Sequence, residues 1–243
     1  MAIVTGGARG IGRNVCHVLA EGGARVVVNY AHSEDRARVV VEEIEAKGGV
    51  ATAFRADVRD LAAYEAMVAH AKEAHGRLDG IVNNAIAGKQ DGAFDEATDA
   101  DFANAFDYGC RAIANSVRAS RPGFKAQGGG RIVNVVTEIW DQSPPGWTVY
   151  VAGKGAMVGM SRSLAAELGP EGITVNMVAP GWMMTDKPEE GDGPATYAKT
   201  VPLGQRGSGE EIGKACAFFV SDLASFVTGA YLPVTGGRVT QMG

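Results

Sequence analysis

Thr5-Gly6-Gly7-Ala8-Arg9-Gly10-Ile11-Gly12 follows directly on the apolar run Ala2-Ile3-Val4 and opens an amphipathic stretch over about 11–21. Strand, glycine turn and helix, in that order, are the context a dinucleotide-binding motif requires. Glycines let the backbone approach a phosphate closely. The helix start then offers free N–H groups and a partial positive charge to an anion. The spacing is Gly-x-x-x-Gly-x-Gly rather than the commoner Gly-x-Gly-x-x-Gly. Gly6, Arg9, Gly10, Ile11 and Gly12 are therefore the first candidate cofactor-binding residues.

Outward from this turn, short β-branched runs alternate with longer amphipathic ones. The candidate strands are Ala2–Val4, Arg25–Asn29, Val50–Arg55, Gly80–Asn83, Arg131–Val136, Ile173–Ala179 and Ala230–Val234. Helical patterns lie at about 11–21, 34–47, 61–75, 99–120, 150–168 and 209–221. Such alternation predicts an α/β fold, a doubly wound parallel sheet with helices on both faces. Thr98-x-x-Asp101 and Ser208-x-x-Glu211 have the form of capping boxes. Ser33-Glu34-Asp35 places anions at a helix start, where the dipole favours them. No linker or repeat interrupts the chain, so residues 1–243 read as one domain. The one long irregular stretch is about 180–207, where Pro188, Glu189, Glu190, Gly191, Asp192, Gly193 and Pro194 argue against regular structure. Loops of such length in compact domains are usually functional or disordered, and the expectation is a lid over the active site.

The formal charge of −5 argues against nucleic acid as the main partner, which would favour a basic face. No apolar run approaches the length of a membrane span. Met1-Ala2-Ile3-Val4 turns at once, without the apolar core of a signal peptide. Cys16, Cys110 and Cys216 are too scattered for a Cys-x-x-Cys pair or a metal pattern. Reduced thiols, no metal and a cytoplasmic location are expected.

The end of strand two selects between cofactors. An acid there would bond the adenosine ribose and repel a 2′-phosphate. Asn29 stands there instead, followed by Tyr30-Ala31-His32-Ser33, and Arg9 lies in the glycine turn. A neutral strand end beside an arginine favours NADP(H). The plainer reading of Arg9 is a solvated surface charge. Asp57-Val58, after strand three, is placed to meet the adenine. Asn83-Asn84-Ala85, after strand four, is placed to line the dinucleotide groove.

A second stretch carries chemistry: Tyr150-Val151-Ala152-Gly153-Lys154. Residues four apart stack on one helix face. A free phenol titrates near 10, about three units too high for easy proton exchange at neutrality, and a nearby ammonium lowers that value. Tyr150 can then act as general acid toward a carbonyl or as base toward an alcohol. Lys154 can also bond a ribose. Ala152, Gly153, Gly155, Ala156 and Gly159 make the same helix a surface of small residues, open to close approach by the cofactor or another subunit.

Taken with Arg131-Ile132-Val133-Asn134, Asn176-Met177-Val178-Ala179-Pro180-Gly181 and Gly236-Gly237, these motifs make the chain resemble a short-chain dehydrogenase/reductase over nearly its whole length. The Val27-Val28-Asn29-Tyr30-x-x-Ser33 stretch is similar to NADPH-dependent 3-oxoacyl-[acyl-carrier-protein] reductases and their polyol and naphthol reductase relatives. The resemblance implies a Rossmann-type sheet of seven strands and a catalytic tetrad of Asn, Ser, Tyr and Lys. Tyr150 and Lys154 match it. Thr137 holds the serine position and keeps the hydroxyl that polarises a carbonyl. Gly109 holds the asparagine position, where glycine cannot bind the water that links the lysine to solvent. Ile86 replaces the glycine that usually ends Asn-Asn-Ala-Gly. By the same resemblance, Pro180, Gly181 and the backbone near Met183 meet the nicotinamide amide, and Thr185 touches the amide or a phosphate. A homo-oligomer, a tetramer with paired helices, is also implied.

Trp140, Trp147 and Trp182 read either as an apolar wall for the substrate or as plain packing. Glu138, beside Thr137, reads either as a substrate contact or, the better reading, as a surface carboxylate. Glu171 and the acidic Glu189–Asp192 stretch stand where a reductase of an acidic carrier protein would favour basic residues. The function expected is hydride transfer between NADP(H) and a small ketone or secondary alcohol. Thr137 orients the carbonyl, Tyr150 protonates it and Lys154 tunes the tyrosine. Gly109 keeps a rival open: a dinucleotide-binding sensor or scaffold with little or no catalysis.

Overall fold

The computed structural model describes residues 1–86, 88, 91–186 and 189–239. Its seven strands are β1 (Ala2–Val4), β2 (Arg25–Tyr30), β3 (Val50–Arg55), β4 (Gly80–Asn83), β5 (Gly130–Val135), β6 (Ile173–Pro180) and β7 (Tyr231–Val234). They form one parallel sheet in the order β3-β2-β1-β4-β5-β6-β7. Successive side chains of a strand point to opposite faces. Ile3, Val27, Ile81, Ile132, Val175 and Met177 accordingly enter one apolar layer. Val4, Val26, Val28, Val82, Val133 and Val178 enter the other. A sheet buried on both faces needs such nearly continuous apolar strands.

The helices that cover it are α1 (Gly10–Glu21), α2 (Glu34–Ala46), α3 (Leu61–His75), α4 (Asp99–Phe106), α5 (Ala112–Ala126), α6 (Ile139–Gln142), α7 (Thr148–Leu168), α8 (Gly193–Lys199) and α9 (Gly209–Val220). Both expected capping boxes close, at Thr98 with Asp101 and at Ser208 with Glu211. Asp60 caps α3 through its carboxylate, which accepts from the N–H groups of Ala62 and Ala63.

Two segments depart from the pattern read in the sequence. The helix expected over 99–120 is broken by a π-helical turn, Asp107–Arg111, and then runs on to Ala126 past Pro122. The stretch expected to be irregular contains α8, which starts at Gly193 with Pro194 in its first turn. A proline there is no breaker, because the N–H it lacks would have no helical partner. Pro188, named in the same reading, lies outside the described residues.

The chain moves outward to β3, returns, and moves the other way from β4. The strand order therefore reverses between β1 and β4. Ligands of open α/β sheets bind beyond the strand ends at such a switch point. The glycine turn and Asn84-Ala85 both lie there.

Candidate active site

The glycine turn is a backbone structure. Gly6 and Gly10 adopt φ of +62° and +56°, where L side chains are strained. A Cβ on Gly12 would run into the Gly6 carbonyl and the Asn84 amide. Thr5 Oγ1 accepts from the N–H groups of Asn84 at 2.9 Å and Ala85 at 3.0 Å, locking the turn to the end of β4. Asn84 Nδ2 returns a bond to Thr5 O at 2.9 Å. Asn29 is buried; its Oδ1 accepts from Gly6 N–H, and its Nδ2 donates to Ala56 O at 3.0 Å. Its amide thus braces the turn from below. Arg9 is exposed at the N-cap of α1. Arg55, which the sequence reading passed over, donates from Nε to Ala31 O in the loop after β2, next to Tyr30, His32 and Ser33. Gly10 N–H, at the start of α1, donates to Asp186 Oδ1 at 2.8 Å. The helix start holds an anion, as its free N–H groups favour. A pyrophosphate fits this cradle: a glycine backbone with no room for side chains, opening on a helix N-terminus.

Farther along the strand ends, Asp57 is clamped by Arg59, whose guanidinium bonds and charge hold the carboxyl below its usual range. Arg59 in turn lies over the Tyr108 ring. Val58 is buried, and its carbonyl accepts from Asn115 Nδ2. Asn83 faces inward: Nδ2 donates to Asn134 Oδ1 at 2.9 Å and to Ser116 Oγ, and Oδ1 accepts from the Tyr64 hydroxyl.

The expected chemical residues converge. Thr137 follows β5, and its Oγ1 accepts from Ile139 N–H at 3.2 Å. The hydroxyl proton stays available, and Thr137 stands near enough to the Tyr150 phenol to lower its pKa. Lys154 is buried on α7, one turn beyond Tyr150, and donates to Val135 O at 2.7 Å. Its Nζ stands 5.7 Å from the centre of the Tyr150 ring. Burial lowers the Lys154 pKa to about 8. The phenol departs from expectation. Burial raises the Tyr150 pKa, and the nearby Thr137 hydroxyl opposes this without reversing it. Lys154 spends its charge on the Val135 carbonyl, so Tyr150 is a protonated phenol at neutral pH.

Gly109 lies buried in the π-helical turn against α7. A Cβ there would stand 2.5 Å from the Gly153 carbonyl oxygen, and one on Gly153 would stand 2.9 Å from Ala105 O. Two glycines let the helices meet backbone to backbone.

The segment after β6 closes the far side. Pro180 O accepts from Glu138 N–H, and Gly181 N–H donates to Val234 O. Buried Met183 presents its carbonyl to Arg206 at 2.9 Å. Thr185 is half-buried, with its methyl next to Gly10. Trp182 stacks under Arg206 and meets Tyr197 edge-on, while Trp147 meets Tyr150 edge-on. Trp140 packs where a Cβ on Gly155 would go. Glu138 corrects the sequence reading: it is 2 % exposed, not on the surface, because Arg238 and Tyr197 converge on it. Glu171 is paired with Arg121 and Lys125. Arg206, Tyr197 and Arg238 carried no motif and were missed.

The chain matches a known family along nearly all its length: the family described as Enoyl-(Acyl carrier protein) reductase covers residues 6–238. The chain belongs to the short-chain dehydrogenase/reductase family. It is 35% identical over 238 residues to the 3-oxoacyl-[acyl-carrier-protein] reductase FabG of Staphylococcus aureus, covering 97% of this chain and 96% of that one. A dehydrogenase/reductase from Sinorhizobium meliloti superposes with a TM-score of 0.91 at 37% identity, over 98% of this chain and 94% of its own. A short-chain dehydrogenase from Burkholderia cenocepacia, solved in complex with NADP, superposes at 0.89 with 35% identity, over 98% and 96%. As a short-chain dehydrogenase/reductase, this protein is an oxidoreductase working with a nicotinamide dinucleotide, on the fold that the sequence resemblance implied.

Proposed function

We propose that this protein is an NADP(H)-dependent reductase of small ketones, similar in reaction to 3-oxoacyl-[acyl-carrier-protein] reductases. The observation that carries the reading is the convergence of Thr137, Tyr150 and Lys154 at the end of β5, with Lys154 Nζ bonded to Val135 O and 5.7 Å from the Tyr150 ring centre. When bound, the dinucleotide supplies the hydride. Thr137 donates to the carbonyl oxygen and sets its position. Tyr150, held protonated by burial, gives its proton to that oxygen. Lys154 fixes the strand end through Val135 O and meets the ribose. Gly6, Gly10, Ile11 and Gly12 take the pyrophosphate, Asp57 and Val58 the adenine, and Met183 and Thr185 the nicotinamide end. The segment that carries α8 acts as a lid.

The choice of NADP(H) rests on the missing acid at Asn29 and on two arginines, Arg9 in the glycine turn and Arg55, which bonds the loop after β2. The NADP complex of the Burkholderia neighbour supports it. Charge-assisted bonds to a phosphate contribute roughly 1.5–3 kcal/mol, or about tenfold and more in affinity. Fluorescence titration should show NADPH binding at least that much more tightly than NADH; equal affinities reject the assignment. NADPH oxidation against 3-oxoacyl thioesters, cyclic diketones, quinones and sugar ketones tests the reaction. Inertness toward every ketone class, with NADPH bound, would favour the sensor reading.

The assembly proposed is a homotetramer in the cytoplasm. An open groove of about 400 Å³ beside α4 and α7 exposes Phe106, and the turn after α9 exposes Leu223 and Phe226 next to the edge strand β7. Two apolar surfaces on different parts of the fold suit two kinds of self-contact, as a closed tetramer needs. The three cysteines are free thiols, as a reducing compartment keeps them. Light scattering of the protein and of Phe226→Glu should give a tetramer and a smaller species.

A further inference from the structure

Glu138 follows Thr137 directly, yet its side chain leaves the strand end and reaches across to two other parts of the chain. Its Oε1 accepts from the Tyr197 hydroxyl on α8 and, at 2.7 Å, from Arg238 Nη1. The Tyr197 hydroxyl also accepts from Trp182 N–H at 2.8 Å. Gly181 makes this convergence possible, since a Cβ there would stand 2.5 Å from the Tyr197 oxygen. Arg238 lies over the Tyr197 ring, 4.5 Å from its centre, and donates from Nε to Thr200 Oγ1 at 2.9 Å. Thr200 Oγ1 closes the circuit by donating to Tyr197 O. On the other side, Glu138 N–H is held by Pro180 O, and Thr137 O accepts from the Tyr231 hydroxyl.

The second carboxylate oxygen, Oε2, is buried without a hydrogen-bond partner among the described residues. A buried charge with half its acceptors unused costs stability that an apolar residue would not. The location of the carboxylate gives it a role that stability does not. Glu138 links the α8 segment to Thr137, whose hydroxyl stands near the Tyr150 phenol.

We propose that Glu138 is a positioning residue that fastens the α8 segment to the strand end bearing Thr137, so that closure of the substrate side and placement of the Thr137 hydroxyl are a single event. This rests on the roles proposed for Thr137 and Tyr150. The clasp itself is separately measurable, because it holds whether or not a ketone is turned over.

The test compares Glu138→Gln, Tyr197→Phe and Arg238→Gln, and the double variant Glu138→Gln with Arg238→Gln. Hydrogen exchange of the intact protein reads the clasp without substrate. Amides of α8 should exchange about fivefold faster or more in Glu138→Gln and Tyr197→Phe, with those of α1 unchanged. With any ketone the parent reduces, KM should rise and kcat fall, each roughly tenfold, while NADPH affinity holds. The double variant should be no worse than the worse single one, as expected for partners in one interaction. Unchanged exchange of α8 in both Glu138→Gln and Tyr197→Phe overturns the clasp. So does a loss of NADPH affinity in step with activity, which marks general damage. If Glu138→Gln does not fold, Tyr197→Phe decides, since it removes one hydroxyl and leaves the ion pair intact. If the parent reduces no ketone while the exchange result holds, the reading of the reaction fails and the clasp survives.

Discussion

Between β1 and β4 the protein builds its site from backbone: glycines at positive φ, a helix start, and carbonyls and N–H groups tied by Thr5, Asn29 and Asn84. Beyond β6 it builds from large side chains: Trp182 between Arg206 and Tyr197, the ion pair of buried Arg206 with Glu189, and Glu138 with Arg238. A backbone site tolerates almost no change, because nothing in it can rotate away. A side-chain site is adaptable and can be re-cut for another substrate without disturbing the first. A shared cofactor paired with different substrates calls for that division.

The sharpest contrast is expected at the boundary of the two halves. Tyr150→Phe removes the proposed acid and keeps the ring, so turnover should fall by about 10²–10⁴ with NADPH binding kept. A smaller loss would move the proton source to another group.

The next effect separates the halves by pH. Burial lowers Lys154 from 10.5 to about 8 in the folded protein. Between those values the unfolded chain holds a proton that the folded chain has released. Stability should therefore rise with pH across that window and be lowest below about 8, by roughly 3 kcal/mol at most. Lys154→Met should flatten that slope in a series of denaturant melts. The slope is a property of the chemical half, because the glycine turn contributes no such group.

Steric changes come third. A methyl on Gly12 meets backbone and amide, so Gly12→Ala should cost about 1–3 kcal/mol and weaken NADPH binding strongly. Gly109→Asn meets the Gly153 carbonyl and should also destabilise, within a similar range of about 1–3 kcal/mol, rather than restore a faster proton path. Thermal melts with cofactor titrations check both, and a stable, faster Gly109→Asn enzyme would break the close-packing account. The smallest effect lies away from both halves. Asp60→Ala removes the α3 cap and should cost about 1 kcal/mol with kinetics unchanged.

The same contrast explains what could be read from the sequence. Ile3, Val27 and Ile81 announce a buried parallel sheet because their neighbours are apolar too, and Thr98 and Ser208 announce helix starts through local partners. The glycine turn is legible because backbone geometry restricts residue type. Glu138 was misplaced because its partners lie 59 and 100 residues away and follow no period. Pro194 was read as a breaker because its position within a helical turn, rather than its identity, decides its effect. The phenol of Tyr150 was expected to be acidified by Lys154, but four-residue spacing places two side chains on one face without fixing where the ammonium points. At the asparagine position of the family pattern, Gly109 is explained by the approach of α7, a tertiary fact.

Asn83 and Asn134 are register partners on β4 and β5, and their amides bond each other at 2.9 Å. Asn134 continues the ladder to Ser161 on α7, and Asn83 to Ser116 on α5 and Tyr64 on α3. A one-residue slip between these strands would turn one of the two amides toward the opposite apolar layer, with its partners lost. This polar rung therefore acts as a gauge during folding. It penalises misaligned sheets at the strand ends where Thr137 and Asn84 must arrive together, so that only a correctly registered sheet presents a site.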